Sequence, residues 1–167
     1  MDGSPRPSRR PLPTRPAATP AAGAAALLLI DGNVALAELS AEYLRAEGYR
    51  VVAAAGLAEA EALLAEARFA LVLTDPFRLA TGALGTDRWT NLRRIRALAG
   101  DAPVVICSEY RPEDFAGHRE RGFAGVLPKP YRPAELLATV RRHLGAPGAA
   151  PGAAPRAVAP VAEPAAH

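Results

Sequence analysis

The length of 167 residues predicts one domain of ordinary size, and a composition that is half hydrophobic allows a buried core, so a second large domain is not expected. The net charge of +3 comes from residues 1–24, whereas residues 25–145 carry equal numbers of basic and acidic residues, so no specific nucleic-acid binding is expected. The single cysteine, Cys107, excludes an internal disulfide and a multi-cysteine metal site, which is typical of a reducing compartment.

The two ends of the chain differ in composition from its middle. Eleven of the seventeen prolines lie in residues 1–24 and 146–167, among mostly Ala, Gly, Ser and Arg. Such segments bury too little apolar surface to offset their ordering entropy, so both are expected to be disordered tails around one domain, residues 25–145. The apolar run at 21–30 is short, lacks a cleavage pattern and leads into a charged segment. It predicts neither a secretory signal nor a membrane span, and a cytoplasmic protein is expected.

Five apolar runs of strand length alternate with segments of helical periodicity. The predicted strands are residues 25–30, 49–54, 69–74, 103–108 and 123–128. Helical stripes run over residues 36–44, 57–67, 89–98 and 136–144, and a weakly amphipathic segment from Pro112 to Arg121 is the remaining helix candidate. Five strand–helix repeats predict an α/β fold, a doubly wound five-stranded parallel sheet with helices on both faces.

Trp89, the only tryptophan, lies in a helical stripe, which favours a core position over an exposed docking site.

In parallel sheets of this kind, ligand-binding and catalytic residues lie beyond the carboxyl ends of the strands. The residues at those ends here are two acids, a hydroxyl and an ammonium: Asp31, Asp75, Ser108 and Lys129. Lys129 is the only lysine in a chain with nineteen arginines. Lysine carries a compact point charge, whereas arginine carries a planar guanidinium that suits two oxygens at once. The use of lysine at this position therefore predicts a role for a point charge that contacts one oxyanion.

The motifs LLLID, LVLTD, VVICS and LPKP, which hold these four residues in order, resemble those of the receiver domains of two-component response regulators. The resemblance covers residues 25–145. It implies a flavodoxin-like fold and a phosphorelay in which Asp75 accepts a phosphoryl group from a histidine kinase or phosphotransfer protein. It also implies Mg²⁺ held by Asp31, Asp75 and the backbone carbonyl of Phe77. Ser108 and Lys129 would then bind the phosphoryl oxygens, with Ser108 also acting as the switch, and the peptide bond after Lys129 would be cis.

Several positions depart from the family pattern. Gly32 stands where a second acid is usual, which predicts weak Mg²⁺ binding, and Asn33 is interpreted as a helix cap rather than a replacement ligand. Glu109 is either a substitute ligand or a barrier to the phosphoryl group. Asp87, in a long loop from Pro76 to Arg88, is either a substitute acid or an ordinary helix-start residue. Val126 replaces the usual switch aromatic and cannot make its rotation.

Residues 146–167 are too short and proline-rich for a DNA-binding module, so action through contacts with an unidentified protein target is expected. The alternative hypothesis is a degenerate receiver that acts as a phosphorylation-independent protein-binding module. A small-molecule enzyme is not expected, because the loop DGNVALAELS lacks a glycine-rich phosphate-binding pattern. No membrane partner is expected either.

Overall fold

Five parallel strands form one sheet in the computed structural model, which describes residues 26–75 and 88–146. The strands are β1 (Ala26–Ile30), β2 (Arg50–Ala54), β3 (Leu71–Thr74), β4 (Val104–Ser108) and β5 (Gly125–Pro128). Their order across the sheet is β2-β1-β3-β4-β5, and each neighbouring pair is parallel. The predicted doubly wound α/β fold is therefore confirmed. The predicted tails at 1–24 and 147–167 lie outside the described residues.

Helices cover both faces of the sheet. They are α1 (Val34–Ala46), α2 (Leu57–Glu66), α3 (Arg88–Leu98) and α4 (Pro133–Leu144). α2 and α3 bury their apolar stripes in one hydrophobic cluster, and α1 and α4 bury theirs in a second cluster on the other face. Because both faces are covered, every residue of β1, β3 and β4 is buried, which explains why these strands read as continuous apolar runs. In the part of the chain that the structure describes, no helix is both long and apolar enough to cross a bilayer.

The segment after β4 is not the helix expected from Pro112 to Arg121, and this prediction is wrong. A short 3₁₀ helix spans Pro112–Phe115 and is followed by turns. Gly117 and Gly122 have φ angles of +74° and +82°, a left-handed conformation that interrupts an α-helix. Residues 116–122 are exposed or half-buried and carry no apolar stripe, so a helix there would have had nothing to bury.

Trp89 packs beside the 3₁₀ helix. Its ring is half-buried against the α2/α3 cluster, with centroid distances of 5.8 Å to Phe115 and 5.9 Å to Phe123. The guanidinium carbon of Arg121 lies 4.6 Å from the Trp89 ring centroid, within the range of a cation–π contact. The expected core position is thus confirmed for one side of the ring, while its other side meets a charged group.

Candidate functional site

The carboxyl edge of the sheet brings Asp31 and Asp75 side by side. They follow β1 and β3, which are neighbours with Ile30 opposite Thr74. The ladder continues through both acids, since Asp31 N–H donates to the Ala54 carbonyl at 3.0 Å and Asp75 N–H donates to the Ile30 carbonyl at 2.8 Å. Both acidic residues are 2% exposed. Their backbones are therefore fixed by the sheet rather than by a loop.

Lys129 joins the two acids. Its ammonium donates to Oδ2 of Asp31 at 2.5 Å and to Oδ2 of Asp75 at 2.6 Å. The lysine side chain is 5% exposed and each aspartate side chain 3% exposed. The backbone N–H of Lys129 donates to the Ser108 carbonyl at 2.7 Å, and its peptide bond to Pro130 is cis. The structure thus brings together three of the four predicted side chains and ties the fourth residue, Ser108, to them through its backbone.

The charge of Lys129 is stabilised by these carboxylates. Burial by itself lowers the pKa of the Lys129 ammonium, but the hydrogen bonds and negative charges of Asp31 and Asp75 outweigh it, so the pKa is raised overall. The side chain is therefore charged at neutral pH. A narrow ammonium reaches one oxygen of each acid, a geometry that suits a point charge better than a planar guanidinium.

Asn33 caps α1 instead of entering the pocket. Its side-chain oxygen accepts from the Leu36 N–H at 3.2 Å, which confirms the predicted helix cap. The Asn33 N–H donates to Oδ1 of Asp31 at 2.8 Å, so both oxygens of that acid are engaged. Gly32, between them, is half-buried and has no side chain to contribute.

Ser108 is fully buried, and its hydroxyl oxygen accepts from the Tyr110 N–H at 3.1 Å. This bond leaves the hydroxyl proton available as a donor, because a serine oxygen both donates and accepts. Tyr110 was not predicted as part of the site. The signal for it was the serine itself, since Ser and Thr side chains commonly accept from the N–H two residues further on.

Two of the remaining predicted site residues, Glu109 and Val126, are among those that the structure describes. Glu109 is exposed directly after Ser108, and its carboxylate is not a partner of Lys129. Val126 is half-buried on β5 and packs against the α2/α3 cluster. Phe77 and Asp87 lie outside the described residues.

The oxygen atoms of Asp31 and Asp75 fit a hard divalent cation. Mg²⁺ is usually held by one or two carboxylates with water completing an octahedron. Within residues 26–75 and 88–146, no cluster of three His, Cys, Asp or Glu side chains could hold a metal ion. Among the described residues, a cation would therefore depend on these two acids and share them with Lys129.

Cys107 precedes Ser108, and its side chain lies in the α1/α4 cluster. Burial, the main cause, raises the pKa of its thiol to about 12, from an ordinary value near 9. We expect native protein at pH 8 to resist thiol-specific labelling and unfolded protein to react promptly. The thiol ionises at a higher pH in the folded protein than in the unfolded chain. The free energy of unfolding should therefore fall as the pH rises from about 9 to 12. Rapid labelling of native protein would contradict this prediction.

A doubly wound sheet with two acids and a lysine at its carboxyl edge is the arrangement of receiver-type signalling domains. Comparison with known protein families supports this assignment, because the family model described as "Response regulator receiver domain" matches residues 27–141. The chain belongs to this family.

Two curated relatives are similar in sequence. A response regulator receiver protein of Anaeromyxobacter sp. (strain Fw109-5) is 37% identical over 110 residues, 66% of this chain and 44% of that protein. The regulatory protein VirG of Agrobacterium tumefaciens (strain 15955) is 31% identical over 119 residues, 69% of this chain and 42% of that protein. The chain spans less than half the length of these curated relatives.

Solved structures of similar fold include the chemotaxis protein CheY4 of Vibrio cholerae, with a TM-score of 0.60, 26% identity, and coverage of 72% of this chain and 99% of that chain. A response regulator protein of Burkholderia pseudomallei has a TM-score of 0.57 and 26% identity, with coverage of 68% of this chain and 65% of that chain. That structure contains a phosphorylated aspartic acid, a calcium ion and citrate.

Proposed function

We propose that this chain accepts a phosphoryl group on Asp75 from the phosphohistidine of a histidine kinase or phosphotransfer protein in the cytoplasm, and then acts through contacts with a protein target. One observation carries the proposal: the Lys129 ammonium lies 2.6 Å from Oδ2 of Asp75, at the carboxyl edge of the sheet. A cation at this distance is placed to meet the oxygens of an incoming phosphoryl group.

The transfer forms a bond between an Asp75 oxygen and phosphorus, while the bond between phosphorus and the donor imidazole nitrogen breaks and its electron pair returns to the ring. Lys129 neutralises negative charge on the transferred group. The Ser108 hydroxyl, one strand away from Asp75, can donate its proton to a phosphoryl oxygen. Mg²⁺, when bound by Asp31 and Asp75, would neutralise further phosphoryl charge. The chain is then a phosphoryl carrier and not an enzyme for a small-molecule substrate.

Asp75→Asn is the direct test. After incubation with acetyl phosphate and Mg²⁺, intact-mass analysis of the wild type should find one added phosphoryl group, and Asp75→Asn should show none, because an amide is not a nucleophile for phosphorus. Asp101→Asn is the matched control, since Asp101 is exposed at the other end of β4 and its variant should be modified like the wild type. A phosphoryl group that persists in Asp75→Asn would assign the acceptor elsewhere and refute the proposal.

The structure also gives a reason to consider a phosphorylation-independent binding module. Both acids are already bonded to Lys129, Gly32 supplies no third carboxylate, and Val126 replaces the switch aromatic. A folded wild type that takes up no phosphoryl group under the same conditions would favour this second function.

A further inference from the structure

Three arginines and the only tryptophan form a row between α3 and the turns that follow the 3₁₀ helix. Trp89, Arg93 and Arg96 occupy positions i, i+4 and i+7 of α3, so they lie on one face of that helix. Seven residues of helix rise about 10 Å. We call Trp89, Arg93, Arg96 and Arg121 the basic seam.

Contacts at both ends of the row define its geometry. Arg121 lies over the Trp89 ring at 4.6 Å. At the other end, a Cβ placed on Gly122 would lie 3.3 Å from Nε of Arg96. Arg121 and Gly122 therefore lie against α3, and the Arg121 charge adds to the helix row.

The seam is held in place before any partner binds. The Trp89 ring is wedged against Phe115 and Phe123. The Arg96 guanidinium donates to the Ala102 carbonyl at 3.2 Å and to the Gly100 carbonyl at 2.7 Å. Side chains that are already ordered lose less entropy on binding, so this surface is pre-organised.

In the described part of the chain, the arginines at the two ends of the seam lack carboxylate partners, unlike three other helical arginines. Arg94 pairs with Glu61 at 2.7 Å, Arg141 with Glu47 at 3.2 Å, and Arg45 with Glu38 at 3.3 Å. Within the described residues, Arg96 and Arg121 make no ion pair. The neighbouring carboxylate of Glu120 lies 3.6 Å from the Cβ position of Gly117, close to that glycine. The positive charges of Arg96 and Arg121 are thus not neutralised by a carboxylate and are left for an anionic partner.

We propose that the basic seam is a docking surface for a protein segment that carries carboxylate side chains. Arginine meets a carboxylate with two parallel hydrogen bonds, and Trp and Arg are the residues most enriched at the energetic centres of protein interfaces. A nucleic-acid duplex fits less well. Its charge is spread at about one per 1.7 Å of axis over two backbones, and a patch about 10 Å long in a domain with balanced charge neutralises few phosphates. This surface goes beyond the phosphoryl transfer proposed above, because it does not involve Asp75.

The test uses the unphosphorylated full chain and a fluorescein-labelled hexaglutamate peptide at low salt. Fluorescence anisotropy should show saturable binding, and the emission of Trp89, the only tryptophan, should change on addition of unlabelled peptide. Arg121→Glu should raise the Kd about tenfold or more through the loss and reversal of one charge. Arg93→Glu, at the centre of the row, should give a similar loss.

Arg50→Glu is the matched control, since Arg50 is exposed on β2 at the opposite edge of the sheet and its variant has the same net charge. It should keep the Kd within about twofold, in line with long-range charge effects that salt screens. An equal loss in Arg50→Glu, tighter binding of a short DNA duplex than of the peptide, or no peptide binding at all would each overturn the proposal. Because none of these measurements requires phosphorylation, a failure here is distinct from a failure at Asp75.

Discussion

Replacing Lys129 with methionine is expected to lower the free energy of unfolding by roughly 3–5 kcal/mol at pH 7, the usual cost of removing one partner from a buried ion pair. Methionine fills much of the lysine volume, but it leaves the carboxylates of Asp31 and Asp75 buried and close together without a cation. Urea unfolding followed by circular dichroism measures the change.

The double variant Lys129→Met with Asp75→Asn separates charge from packing. The double variant has one negative charge fewer in the pocket than Lys129→Met, so it should recover a large part of the free energy of unfolding that the single variant loses. Lys129→Arg keeps the positive charge but presents a wider group, and it should fall between the wild type and methionine. A loss below about 1 kcal/mol in Lys129→Met would mean that water reaches the pocket far more freely than the 3–5% side-chain exposures indicate.

Gly32→Asp is expected to raise the Mg²⁺ affinity at least about tenfold, because affinity for a hard cation rises with the number of carboxylate ligands. Gly32 is half-buried beside Asp31, the position where the family usually has a second acid. Isothermal titration calorimetry of wild type and variant measures the change. Without Mg²⁺ the variant should be less stable than the wild type, since three carboxylates would then share one ammonium.

Gly56→Asp provides the control for added charge. Gly56 caps α2 in an extended conformation, and a Cβ there meets nothing within 4 Å. Asp is a favourable N-cap residue, so the variant should fold and keep the wild-type Mg²⁺ affinity. An unchanged affinity in Gly32→Asp would show that the pocket does not admit a third carboxylate to the metal.

The fold was predictable because its strands are buried on both faces. β1, β3 and β4 read as uninterrupted apolar runs, and the stripes of α1, α2 and α4 follow a helical period. The segment after Pro112 was not predictable in the same way. A proline suitable for the first helical turn says nothing about burial, and the two left-handed glycines together with the missing apolar stripe decided the outcome.

The site followed from topology more than from local motifs. Parallel strands place their carboxyl ends at one edge, so the meeting of Asp31, Asp75 and Lys129 could be expected from their positions in the chain. The backbone bond from Tyr110 to the Ser108 hydroxyl and the bonding of Lys129 to both acids depend on side-chain geometry that a linear pattern does not specify. The basic seam likewise required knowing that Arg121 and Gly122 lie against α3.

The placement of the ammonium on the last strand has a consequence for synthesis. Strands β1 and β3, which precede the two acids, leave the ribosome long before residue 129. Until then Asp31 and Asp75 have no cation on β5 to neutralise them, and closing the pocket early would bury two like charges. A nascent chain that stops short of Lys129 is therefore expected to keep this edge of the sheet hydrated. Addition of Lys129 supplies the cation that pairs with both acids.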